Sequence, residues 1–287
     1  MKRVAAEGSL PVIQEAAASF FEEEDILLAE QAGPGNLKLI EGLLHAAPDN
    51  SGLGAVAAQL FCSYAFGFLE PVAGPYDTPD PAQIARTKAF YLRGRDYGMR
   101  VLQKNPSFRE TLTADIATFR ATLQSFSLTD APALFWTAYG WGQLINLSKD
   151  EPERVAELPR VVALMDRVDE LDPAFYHGGV HAFRMVNAAA RAPLLGGQPE
   201  VAKRAHERAN SITGGNFFLY DVLFAQYYAV QVQDAKLFQE TLQRVIATTA
   251  DVMPSERLAN RLAQKRAQIL LSKMVDFFPD LEDEEGP

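Results

Sequence analysis

Apolar residues recur every three or four positions along almost the whole chain, and strand-like alternation is nearly absent. That period predicts helices over roughly 10–23, 25–32, 35–46, 52–69, 81–103, 108–124, 131–148, 153–171, 174–191, 199–212, 217–230, 234–248 and 255–277. Turn-forming residues separate them: Pro48-Asp49-Asn50, Asn105-Pro106, Asp130-Ala131-Pro132, Asp172-Pro173, Gly196-Gly197-Gln198-Pro199 and Gly214-Gly215-Asn216. The segment 71–81, PVAGPYDTPDP, holds four prolines and reads as a loop lying over a helix end. The fold class expected is all-α, built of stacked antiparallel helix pairs. We expect a single domain over 1–279 and an acidic disordered tail, DLEDEEGP, over 280–287.

A weak repeat runs through this pattern. RVLQKNPSF at 100–108 aligns with RVDELDPAF at 167–175, and the matching prolines, Pro106 and Pro173, stand 67 positions apart. That is about twice the ~34-residue tetratricopeptide period. The strict tetratricopeptide consensus is missing, so the repeats are degenerate. Stacked helix pairs of this kind form an α-solenoid with a concave face.

The stretch Ala131 to Ser148 departs most from an ordinary amphipathic helix. It has no charge, two tryptophans and a tyrosine. A helix apolar on all sides must be buried. At helical spacing Trp136, Tyr139, Gln143 and Asn146 form one aromatic and amide stripe. Ala138, Gly140 and Gly142 are small enough to admit a neighbouring backbone. A buried helix with such a stripe is expected to wall a cavity. A second uncharged stretch runs from Asn50 to Leu69. Both approach the length of a membrane span but carry Gly, Ser, Gln or Asn, and neither has basic flanks. They are expected as buried helices.

Composition narrows the function. The chain has 287 residues and a formal net charge of −10. There is no run of Lys and Arg, which excludes nucleic acid as a partner. The one cysteine, Cys62, sits in an apolar run and reads as a small buried hydrophobe. The start, MKRVAAEGSLPVIQEAA, has basic residues but no apolar segment behind them, so it does not read as a signal peptide. It fits a cytoplasmic protein or a processed chain.

His177 and His181 are four apart on an expected helix, so both rings can share one side. Gly178, Gly179 and Val180 lie between them, so the His-Glu-x-x-His pattern is absent. Arg184 follows one turn later, where a guanidinium disfavours a metal cation. The alternatives are ordinary packed histidines or an anion-binding stripe suited to a carboxylate. Tyr176, His177, His181 and Arg184 are expected near the stripe on 131–148, lining the same cavity. Trp136 and Trp141 are five apart, which assigns one to the core and the other to the cavity wall. The Gly-Gly pairs at 178–179, 196–197 and 214–215 read as caps and close-packing sites, not a phosphate loop. The acidic run Glu22–Asp25 reads as a solvated helix end. No nucleophile has a base and an orienting partner at convincing spacing.

Eight blocks, taken in order, resemble a known family. They are AEQAGPGNLKLIEGLL (29–44), AAQLFCSYAFGFLE (57–70), YLRGRDYGMRVL (91–102), DAPALFWTAYGWGQLINLS (130–148), LPRVVALMDRVDELD (158–172), YHGGVHAF (176–183), PLLGGQPEVAKRAHERAN (193–210) and FAQYYAVQVQDAKLF (224–238). Together they resemble the T-component (TatT) of tripartite ATP-independent periplasmic transporters. The resemblance implies an all-helical periplasmic protein with tetratricopeptide-like repeats. It also implies a homotrimer, a cavity or channel in each protomer, and association with the transporter's solute-binding protein. Family members often carry an export signal or a lipid anchor, but no N-terminal lipobox cysteine is present in this chain.

The leading expectation is a non-enzymatic accessory subunit that docks the solute-binding protein. It would bind or channel a small apolar or carboxylated ligand and need no cofactor. One alternative is a cytoplasmic tetratricopeptide scaffold for a peptide or protein. A third reading is a hydrolase holding a metal with His177 and His181.

Overall fold

The structure is a computed structural model that describes residues 8 and 10–280. The expected acidic tail lies, beyond Asp280, outside the described residues. Among the described residues there are helices, turns and loops but no strand, so the architecture is all-α.

The chain forms two compact units. The first comprises Met1–Ser19, Leu27–Glu70 and Asp80–Phe175; the second comprises Phe20–Ile26, Pro71–Pro79 and Tyr176–Pro287. In chain order the helices are α1 (Leu10–Phe21), α2 (Ile26–Ala46), α3 (Ser51–Tyr64), α4 (Pro81–Leu102), α5 (Pro106–Thr111), α6 (Ile116–Leu123), α7 (Ala131–Asn146), α8 (Pro152–Val155) and α9 (Leu158–Leu171). There follow α10 (Phe175–Ala189), α11 (Pro199–Thr213), α12 (Leu219–Leu223), α13 (Ala235–Ala247), α14 (Arg257–Ser272) and α15 (Met274–Phe277). Helix α3 runs into a π-turn, Ala65–Leu69, and α12 into another, Phe224–Ala229.

Local chemistry sets the starts. The side chains of Asn50, Asp80, Asn105, Asp115 and Asp234 each accept a backbone N–H in the first turn that follows. Proline opens α4 and α5, where its missing N–H costs nothing.

In the first unit α3, α4 and α7 pack side by side, and α9 packs on α7. Their backbones approach through glycine. A Cβ at Gly94 would stand 2.5 Å from Cys62 Sγ, and one at Gly140 would stand 3.0 Å from the same sulfur. The Cys62 thiol is buried and directed at the Trp136 carbonyl, 3.8 Å away. Burial pushes its pKa up, so it stays protonated. The stretch Ser51–Leu69 is long and apolar enough to cross a membrane by length and composition alone, yet 67% of it is buried inside the fold. It is a core helix. The two repeat motifs end α4 and α9, the helices that flank α7, and in each the residue before proline turns its side chain onto the following backbone.

Several expected boundaries move. The helices expected at 25–32 and 35–46 are one helix, α2, with Pro34 inside it. Pro34 has no N–H for the Glu30 carbonyl. The Tyr64 hydroxyl donates to that carbonyl instead, at 3.3 Å, and Gly33 leaves room for its ring. The expected helix 108–124 breaks before Asp115, which caps α6. The expected 153–171 divides into α8 and α9, and 255–277 divides at Lys273.

In the second unit α12 and its π-turn lie against α13 and α14, burying Phe218, Val222, Ala225, Phe238, Leu242 and Leu270. Asn260, fully buried, accepts from the Phe218 N–H at 2.9 Å and donates to the Asn216 carbonyl at 2.9 Å, pinning the turn before α12. The proline-rich segment is a loop, as expected. Lys273, at the end of α14, binds the Asp77 carboxylate and donates to the Val72 carbonyl at 3.4 Å. The acidic run is not simply solvated. Arg261 pairs with Glu24, and Arg257 donates to the Glu22 carbonyl at 3.0 Å.

Candidate functional site

Helix α7 carries the first candidate stripe, in the first unit. It extends to Asn146, so Trp136, Tyr139, Gln143 and Asn146 all lie on one helix at the expected spacing. Trp136 is buried; the other three are half-buried. Trp136 and Tyr139 meet edge to face with centroids 5.5 Å apart, and Gln143 Nε2 donates to the Tyr139 hydroxyl at 3.2 Å. The stripe is a linked row of ring, hydroxyl and amide. Trp141 is also buried, at 7% exposure, and its indole N–H donates to Glu157 at 2.7 Å.

The second candidate group lies in the second unit, and its geometry differs from expectation. Tyr176, His177 and Gly178 are left-handed, with φ of 45°, 60° and 82°. Regular helix resumes only after them, so the four-residue spacing does not set His177 above His181 on a helical face. Two non-glycine residues in this region store strain of roughly 1–3 kcal/mol each, which surrounding contacts must hold. Those contacts are visible. Tyr220 donates to the Tyr176 carbonyl at 2.9 Å. The His177 ring packs 5.0 Å from Phe217, and its Nε2 lies 2.8 Å from Glu256 Oε1. Glu256 is itself buried. His181 is buried on the resumed helix, and Arg184, one turn on, is half-buried. The His177 nitrogen already faces a carboxylate, which disfavours it as a partner for an acidic ligand.

Sequence reasoning missed Glu256, which no local pattern marks. It also missed a buried network. His206 Nε2 lies 2.9 Å from Asp221 Oδ1, Asn210 Nδ2 donates to the same oxygen at 3.0 Å, and Arg244 reaches Asp221 Oδ2 at 3.2 Å. Burial alone would raise the Asp221 pKa, but the bonds from His206 and Asn210 and the charge of Arg244 outweigh it and hold it below its ordinary value. His206 stacks on Phe224, and Phe224 on Tyr228, at 3.9 and 4.5 Å. Asp221 is a lone carboxylate in the apolar run FFLYDVLF, and that was the available signal.

Among the described residues no group of three or more His, Cys, Asp and Glu could hold a metal ion. The buried polar groups join helices to one another within an all-helical protein. The model of the TRAP transporter T-component family matches residues 22–278, and the chain belongs to that family. It is also similar to a protein from Treponema pallidum (strain Nichols) named only as uncharacterized. The two are 27% identical over 267 residues, covering 91% of this chain and 83% of the other. The chain is a non-enzymatic T-component. This sets aside the hydrolase and does not favour the cytoplasmic scaffold. T-components are periplasmic or membrane-associated parts of TRAP systems, and membership implies interaction with the solute-binding protein.

Proposed function

We propose that this T-component works in the periplasm as a homotrimer, docking the solute-binding protein and holding a small apolar or carboxylated ligand. The observation that carries the proposal is the family match across residues 22–278. The paired helices fit degenerate tetratricopeptide-like repeats. In support, the same helix-Asn/Asp-Pro-x-Phe ending recurs on the two helices that flank α7.

In the first unit Trp136, Tyr139, Gln143 and Asn146 line a ligand cavity; rings give apolar wall and amides give donors. In the second unit Tyr176, His177, His181 and Arg184 serve ligand contact, with Arg184 as the carboxylate donor. The test is co-purification of the chain with the solute-binding protein of its own transporter, followed by native mass spectrometry of the complex for retained organic acids. Complex formation with retained acid that Arg184→Ala loses, fold intact, is the expected result. No complex under any solute condition would refute the docking role, and retention unchanged by Arg184→Ala would refute the ligand role of that residue.

A further inference from the structure

Helix α4 carries arginine and aromatic residues in strict register: Arg86, Phe90, Arg93, Tyr97, Arg100. Seven residues make nearly two turns, so the arginines form one row about 21 Å long. Each guanidinium lies over a ring: Arg86 at 5.8 Å from the Phe90 centroid, Arg93 at 4.3 Å from Phe61 and Arg100 at 5.3 Å from Tyr97. Ring contact occupies the face of the cation and leaves the N–H donors of its edge for a partner.

Arg93, in the centre, is held by Glu41 of α2. Glu41 also accepts from Lys38 at 2.7 Å and from the Tyr97 hydroxyl at 2.6 Å. Arg86 and Arg100 are exposed, and their side chains make no ion pair or hydrogen bond among the described residues. The row therefore keeps a positive charge and two open donor forks on a chain of net charge −10.

We propose that the Arg86–Arg93–Arg100 row of α4 is the surface that receives a carboxylate-lined face of the solute-binding protein. The inference rests on the docking reading above and adds its location and chemistry. Arginine and aromatic residues are those that dominate protein interfaces. Phe90 and Tyr97 are half-buried beneath the arginines and do not protrude, whereas a membrane-surface helix inserts its apolar side chains. The observations thus favour a protein partner over an anionic bilayer.

The test measures binding of the solute-binding protein from the same transporter to the intact chain. The variants are R86Q/R100Q, R86E/R100E and R86K/R100K, with R204Q/R208Q as control. Arg204 and Arg208 are exposed on α11, so the control removes the same charge elsewhere. Circular dichroism and melting confirm that each variant is folded. The expected result is a loss of at least about tenfold for R86Q/R100Q, a larger loss for R86E/R100E and an intermediate one for R86K/R100K. The control stays within about twofold, and wild-type affinity falls with salt. If wild type binds and R86Q/R100Q binds equally well, the placement is overturned while the docking reading stands. If wild type does not bind, both fall. If the row governs binding to phosphatidylglycerol vesicles but not to the solute-binding protein, the placement is again overturned.

Discussion

Tyr64 shows how one side chain decides whether an element exists. Proline inside a helix ordinarily costs about 3 kcal/mol, partly through the carbonyl it strands. In α2 that carbonyl belongs to Glu30, and Tyr64 supplies the missing donor from 34 residues away in sequence. The sequence therefore read as two helices with a break at Pro34, because nothing local announces the replacement. Tyr64→Phe keeps the ring and removes only the donor. It should lower unfolding stability by about 1 kcal/mol, read from urea melts, and loosen hydrogen exchange through α2. Glu41 gives a pH test at the same scale. Burial alone would raise its pKa, but donors from Lys38, Tyr97 and Arg93 outweigh that and bring it down to about 2. Its folded pKa is depressed, so its stabilisation is complete above its ordinary value of 4.5 and is lost as pH falls toward about 2. Wild type and Glu41→Gln should therefore differ in melting temperature at neutral pH and converge in acid.

Helices were legible where periodicity and turn-forming residues agreed, as at Pro48-Asp49-Asn50 before α3. Departures occur where a distant group overrides the local signal. The left-handed turn at Tyr176-His177 is the clearest case. Neither residue favours positive φ, and the partners that hold them, Tyr220 and Glu256, lie 44 and 79 residues further on. The stripe on α7 was legible because its four residues need only helical spacing. The network between α11 and α12 makes a prediction for this scale. Asp221 is the common acceptor for His206, Asn210 and Arg244, and it is almost fully buried. Asp221→Ala leaves His206 and Asn210 without their acceptor and should cost about 1–3 kcal/mol. His206→Phe, which keeps the stack on Phe224, should cost less. The Asp221 pKa is lowered, so this stabilisation is present above the ordinary carboxylate value and declines as pH falls through the folded one. Equal losses in the two variants at neutral pH would show that the His206–Asp221 contact carries the whole effect and that Asn210 and Arg244 add nothing to it.

At the scale of the whole molecule, the all-α class followed from the period of the apolar residues, and the family from the order of the eight blocks. No local pattern could supply the assembly, because subunit contacts depend on surfaces that sequence periodicity leaves undivided. Helix α2 shows why. Its face bearing Ala32, Gly35, Leu39 and Gly42 is exposed, and Leu39 retains 55% of its accessible surface. The buried side of the same helix carries Ala29, Gly33, Leu37 and Ile40. Both faces are apolar, so hydropathy alone cannot say which one the protomer keeps for itself. An apolar face left in solvent favours self-association. A trimer of this chain should scatter light as three times 31.6 kDa and hold that mass on dilution into the low micromolar range. Leu39→Glu, which places a charge on the exposed face, should shift the mass toward monomer without changing the helical signal. A wild-type mass of one protomer at every concentration would refute the trimer. A trimer indifferent to Leu39→Glu would place its contacts on another face.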